Sequence, residues 1–345
     1  MPIVDIEIVG DVTKPLAGTL AQAFSDATHP PLIGFGVVIG AAALFGMLGP
    51  LSRFAYEAGM EPIAFVAWRG LIGLLGTGAY VAWRVRRGGT RLVSLGQLST
   101  RTRASLLSAA VAGFTLNLFM FIAFDRITVA LALLGFYTYP AMVAVVNVVL
   151  GREHLDRTRS VALGLAILGM IAVVASQLDP AAGIRLDAIG IGLALGAAVS
   201  QTVFVVVSRD GYSEVPTEQA MAVVLLVTVI GASGLAVLVG SPASLVYPFA
   251  APDVLPVLLF TGIFAAAIPS LGFLTGIRAI GGTRAGILML FEPVVGVALA
   301  AWLLGEALVP IQLVGAAAIL AAAVLLQRSA VDRVGAGPTK VPGGP

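Results

Sequence analysis

Two charged residues stand inside long apolar runs, Arg69 in "IAFVAWRGLIGLL" and Glu292 in "LMLFEPVVGVAL". A bare carboxylate at the centre of a bilayer costs at least ~2.5–3.5 kcal/mol on insertion scales, so Glu292 must be protonated, paired or facing water. The chemistry open to it is binding a proton or a substrate amine. The plainer alternative is a structural carboxyl bonded to a neighbouring helix. Arg69 offers a fixed fork of donors that suits a substrate carboxylate. Its structural alternatives are snorkelling to an interface or tying down a carbonyl of a broken helix. A substrate carrying both a carboxylate and an ammonium would suit the two residues together. Asn117, Tyr139 and Gln201 are polar groups at similar depth, and Phe45, Trp68 and Phe136 could complete a lining. Asn147, Ser200 and Ser270 could as well be interhelical glue, worth about 0.6 kcal/mol each.

Little else in the chain could do chemistry. There is no cysteine, and the only histidines are His29 and His154, both outside the apolar runs. Disulfides, thiolate metal sites and cysteine nucleophiles are thereby excluded. No histidine-based catalytic cluster is expected either, nor a cofactor, a metal or an enzyme activity. No GxxxxGK[ST] loop occurs, so ATP is not a direct energy source within this chain.

These residues must be positioned by membrane helices. With 59% hydrophobic and 11% charged residues and a mean hydropathy of +1.02, the composition is that of an integral membrane protein. A spanning helix needs about 20 mostly apolar residues. Ten runs qualify, approximately 32–53, 62–83, 105–124, 128–150, 159–177, 187–208, 218–240, 254–277, 284–305 and 308–327. All must be helical, because lipid-exposed backbone cannot leave its polar groups unpaired. The expected fold class is an all-α integral membrane protein. Residues 1–31 lack the pattern of a signal peptide and are expected to form a cytoplasmic extension, with 328–345 a disordered cytoplasmic tail.

The chain repeats itself. Pro140 and Glu153 recur 153 positions later as Pro293 and Glu306; Gly36, Gly40, Ala41, Ala42, Ser52 and Arg53 recur 156 positions later as Gly192, Gly196, Ala197, Ala198, Ser208 and Arg209. If the N-terminus is cytoplasmic, sixteen of the twenty Lys and Arg fall inside, and Arg53, Arg126 and Arg185 fall outside. That asymmetry selects an N-in, C-in topology and accounts for the arginines without nucleic acid. Five helices per repeat is an odd number, so the two copies are expected to be inverted, the arrangement that underlies alternating access. Pro140 and Pro293 should bend the fourth and ninth helices by leaving the carbonyls of Phe136 and Met289 without their usual partners. Tyr139 and Glu292 share one register, a phenol opposite a carboxyl, and Arg69 has the apolar Val223 as its counterpart. Glu153 and Glu306 read as loop-positioning carboxylates. The pairs Gly36/Gly40 and Gly192/Gly196 suggest that the first and sixth helices pack tightly.

Four stretches resemble the drug/metabolite transporter superfamily, specifically ten-helix exporters built from two EamA-type repeats. They are Gly40-Ala41-Ala42 with Ser52-Arg53, Pro62 with Arg69, "YPAMVAVVNVVLGREHL" from Tyr139, and "GGTRAGILMLFEPVVGVALAAWLLGEAL" from Gly281. The resemblance covers repeats at about 32–178 and 186–327. It implies a ten-helix bundle around a central cavity, in the bacterial inner membrane, exporting amino acids or related small metabolites. Cationic drugs or nucleoside-like metabolites are the alternative cargo, and a non-transporting membrane sensor the alternative class. The expected partners are a small-molecule substrate, the lipid bilayer and protons as a candidate coupling ion, with the chain a monomer or homodimer.

Overall fold

A computed structural model describes residues 30–153, 156–176, 187–304 and 309–335. Helices dominate: α1 Pro30–Phe45, α2 Leu48–Glu57, α3 Pro62–Arg86, α4 Thr100–Arg126, α5 Val129–Phe136, α6 Tyr139–Val149, α7 Arg157–Ala175, α8 Ala188–Asp210 and α9 Thr217–Leu238. After the short α10 Tyr247–Ala250 come α11 Leu255–Gly262, α12 Ile268–Ile280, α13 Gly282–Met289, α14 Glu292–Leu304 and α15 Pro310–Gly335. Eight stretches of the described residues are long and apolar enough to cross a membrane, three of them composite: Val129–Val149, Pro252–Ile280 and Gly282–Leu299. Shorter apolar helices, Leu32–Phe45 and Pro310–Leu326, occupy the first and tenth expected positions. α15 runs on to Gly335, past the boundary expected at 327, because Gln327–Val334 contains no Gly or Pro to stop it. Residues 1–29, His154, Arg185, Glu306 and 336–345, with the expectations attached to them, lie outside the described residues.

Several helix starts are fixed by side chains that accept an otherwise unpaired backbone N–H. Ser99 accepts from Thr102 at α4, Thr128 from Leu131 at α5, Asp156 from Arg159 at α7 and Asp187 from Ile189 at α8. At α8, Asp187 also pairs with Arg126 at the end of α4. That hydrogen bond holds the Asp187 carboxyl below its ordinary value.

Packing is reciprocal between the halves. α1 lies on α12 and α8 on α4, α9 packs on α4 and α11 on α3, while α3 meets α9, α6 meets α13 and α7 meets α15. Exchanging each helix for its repeat mate maps this set of pairs onto itself. Small residues allow the close approach: a Cβ on Gly272 would meet Val37 of α1 at 3.3 Å, and one on Gly190 would meet Ile127 at 2.7 Å. The repeated glycines behave differently from expectation. Gly36, Gly40 and Gly192 face open space, and of the four only Gly196 is in contact, against Phe119. The tight contacts of α1 and α8 thus run through other glycines.

The helices that carry the prolines are interrupted. α5 ends at Phe136 and α6 begins at Tyr139; α13 ends at Met289 and α14 begins at Glu292. Pro140 and Pro293 are each the second residue of the new helix, where the missing N–H removes no helical hydrogen bond. α1 and α2 are separated by Gly46 and Met47. A Cβ on Gly46 would lie 2.6 Å from the Glu292 carbonyl, so the break after α1 crosses the break before α14. In the eighth expected helix, Ile263–Ala267 forms a π-helical turn between α11 and α12, which the sequence runs alone do not announce.

Candidate functional site

Because α13 stops at Met289, Glu292 opens α14 with its carboxyl near the helix N-terminus, where the backbone dipole favours negative charge. The matching interruption places Tyr139 at the first position of α6 and Tyr137 in the break itself. Both breaks border a cavity of ≈ 1010 Å³.

Of the residues expected to line it, Phe45, Arg69, Asn117, Phe136, Tyr139, Gln201, Glu292 and Pro293 do so, as does Ser270. Pro140 is not among the lining residues; it packs instead against Gly286 of α13. Trp68 corrects the expectation. It turns away from the cavity, its indole Nε1 donating to the Leu245 carbonyl at 2.8 Å and its ring meeting Phe249 edge-on. Trp68 and Arg69 are adjacent on α3, about 100° apart around its axis, and the indole lies on the side that meets Leu245 and Phe249. Asn147 and Ser200 act as glue: Asn147 donates to Thr283 at 3.3 Å, and Thr115 and Ser200 share a hydroxyl contact of 3.0 Å.

Arg69 is buried, with 5% of its surface exposed. One terminal nitrogen, Nη1, donates to Asn117 Oδ1 at 2.7 Å, and Nη2 donates to the carbonyl of Ala265. Ala265 belongs to the π-helical turn, an irregularity of a kind frequent at functional sites. The guanidinium also lies 5.3 Å from the centre of the Phe121 ring. Asn117 in turn donates to the Gly113 carbonyl at 2.8 Å. Arg69 thus joins α3, α4 and the π turn, the structural alternative raised by its sequence context.

Glu292 forms no ion pair among the described residues. It lies within electrostatic range of Arg69, Tyr137 and Tyr139. The hydroxyls of Tyr137 and Tyr139 and the Gln201 side-chain oxygen are buried. Tyr137 stands beside the Glu292 carboxyl, and Tyr139 beside Gln201. Sequence reasoning missed Tyr137. Its signal was its place two residues before Tyr139 and three before Pro140, where a helix break turns it toward the same space.

The cavity reaches Arg53, Glu57, Thr128, Ser176, Val309 and Gln312, which lie at one end of their helices. Among the described residues the lining does not extend to the opposite end, where ion pairs join the helices. There Arg209 Nη1 and Glu153 Oε1 are 2.6 Å apart, and Arg159 lies 3.8 Å from the other Glu153 oxygen. The pair rests on Gly281, where an added Cβ would come within 3.1 Å of Glu153. The φ of Gly281 is +87°, a conformation that glycine alone adopts without strain. Nearby, Arg278 donates to the Val215 carbonyl at 2.9 Å and the Tyr212 carbonyl at 3.2 Å. Arg53, the repeat mate of Arg209, is exposed at the open mouth.

A bundle of apolar helices around a cavity with mostly apolar walls and a few convergent polar groups fits a membrane transport architecture. The model of the EamA-like transporter family matches residues 32–175 and 188–328, and the chain belongs to that family. It is therefore a multi-pass membrane protein of a transporter family built from two EamA repeats. No curated protein matches the chain. A solved structure described as "Crystal structure of protein" superposes with a TM-score of 0.70 at 21% identity, over 88% of this chain and 98% of that chain. The likeness is one of fold.

Proposed function

We propose that this protein is a secondary active transporter that exports amino acids or related small metabolites across the bacterial inner membrane by alternating access. In this reading ten helices span the bilayer as two inverted five-helix repeats, with both termini cytoplasmic. The observation that carries it is the cavity, open beside Arg53 and sealed beside Arg209, two residues that repeat-matching makes equivalent. Inverted halves that exchange shapes would seal the first end and open the second. The lining supports a small organic cargo, since apolar and aromatic walls carry a few convergent polar groups. Glu292 is the candidate coupling group, bound in turn by a proton and by the substrate.

Reconstitution into liposomes with counterflow of amino acids, nucleosides and cationic drugs tests the reading. Uptake of one class against a preloaded unlabelled pool is expected, and folded protein inactive with all three would point to a sensor. Glu292→Gln should abolish the pH dependence of transport. Full transport with an unchanged pH profile in that variant would refute coupling through this carboxyl.

A further inference from the structure

The polar lining differs in how far each group is already occupied. Arg69 has given one N–H of each terminal nitrogen to protein acceptors, Asn117 Oδ1 and the Ala265 carbonyl, and these two bonds fix the plane of its buried guanidinium. A bidentate grip on a substrate carboxylate needs two parallel N–H groups of the guanidinium. Here a substrate carboxylate would have to share a guanidinium whose orientation Asn117 and the π turn already set. Glu292 is the reverse case. It opens a helix facing the cavity, no cation pairs with it among the described residues, and its buried polar neighbours are the Tyr137 hydroxyl beside its carboxyl and the Tyr139 hydroxyl beside the Gln201 side chain. Two oxygen acceptors and two hydroxyls suit a donor-rich ammonium, which has three N–H groups and no acceptor of its own. Around them stand Phe45, Phe121, Phe136, Phe204 and Phe273, faces that attract a cation and shelter an apolar body.

Resting on the transport reading above, we infer that this cavity selects its substrate by an amine attached to a bulky apolar or aromatic body, with the ammonium at Glu292, and that Arg69 is a positioning residue rather than the anchor of a substrate carboxylate. A free carboxylate on the ligand then loses its water and gains little in return. Amine-only compounds should bind best, the corresponding amino acids less well and the corresponding acids worst.

The test is a matched set of probes, 2-phenylethylamine, phenylalanine and 3-phenylpropionate, titrated by calorimetry into the purified full chain in detergent. The amine is expected to bind at least tenfold more tightly than the acid and more tightly than phenylalanine. Phenylalanine or the acid binding as tightly as the amine, or none of the three binding, overturns the inference. Two variants separate the roles. Glu292→Gln should lower amine affinity at least tenfold and leave the acid unchanged. Asn117→Ala frees the Arg69 N–H now given to Oδ1, releases the guanidinium from its set orientation and should raise affinity for 3-phenylpropionate several-fold, a gain that misfolding cannot mimic; no gain overturns the positioning role of Arg69. The readout is binding, so a protein that prefers the amine but fails in counterflow would refute the transport reading, whereas one that transports a carboxylate-selected cargo would refute this inference alone.

Discussion

In the proposed alternating-access cycle, removing the Arg209 guanidinium should shift the protein away from the form sealed at this end without unfolding it. The Arg209–Glu153 contact of 2.6 Å is partly buried, with 10% of the Glu153 side chain and 33% of the Arg209 side chain exposed. Hydrogen bonds to charged groups contribute about 1.5–3 kcal/mol, and the exposure of Arg209 argues for the lower end. In alternating access the pair exists only while its own end of the cavity is closed. Losing about 1.5 kcal/mol from one form shifts the equilibrium about tenfold. Arg159, 3.8 Å from Glu153, remains in Arg209→Gln, whereas Glu153→Gln removes both contacts and should shift the balance further. The chain has no cysteine, so a single cysteine at the cavity residue Ser270 can be labelled with an impermeant maleimide against a clean background. In oriented vesicles, labelling from the Arg53 side should slow in Arg209→Gln and labelling from the Arg209 side should rise. The charge-swapped pair Glu153→Arg with Arg209→Glu should restore the original pattern. Unchanged rates from both faces in Arg209→Gln would refute the reasoning.

Other perturbations read the remaining contacts. Gly46→Ala drives a methyl against the Glu292 carbonyl, 2.6 Å from the ideal Cβ position; backbone cannot yield as a side chain can, and a loss of about 1–3 kcal/mol is expected in thermal unfolding. Arg69→Lys replaces a fork that reaches both Asn117 and the π turn with a single ammonium, and should cost about 1 kcal/mol, checked by melting temperature in detergent. At the start of α8, Asp187→Asn keeps a capping oxygen and Asp187→Ala does not, so the alanine variant should melt lower. The Asp187 carboxyl is held below its ordinary value of 3.8 by Arg126. Its ion-pair contribution is therefore present at neutral pH and lost as pH falls through the folded value, and the gap between wild type and Asp187→Asn should close in acid.

Much of this arrangement was legible because bilayer thickness fixes helix length and proline lacks a donor. The apolar runs gave the helices, and the Pro140 and Pro293 registers gave the two breaks within a few residues. Matching the repeats singled out Tyr139 and Glu292, which do border one cavity. What failed was direction around a helix axis. Trp68 and Arg69 are neighbours in sequence and face different surroundings, a distinction that depends on which helix packs against α3. The π turn was also invisible, since Ile263–Ala267 is apolar without an internal Gly or Pro. The acceptor for Arg69 could not be identified without it. Repeated glycines misled for a related reason: a glycine permits close approach but does not choose the neighbour, and Gly36 and Gly40 have none.

The π turn gives the molecule a stiff part and a pliant part. Through Arg69 it is stapled to α3 and α4, so these elements should travel as one block while the interrupted pairs α1–α2, α5–α6 and α13–α14 bend at their breaks. The corresponding stretch of the first half, inside α4, is regular helix. The proposed exchange of shapes between the halves is then not a symmetric operation, because the staple has no counterpart at the matching positions. The two forms need not rest at equal energy, and the residue that breaks the tie is an arginine with both terminal nitrogens turned inward.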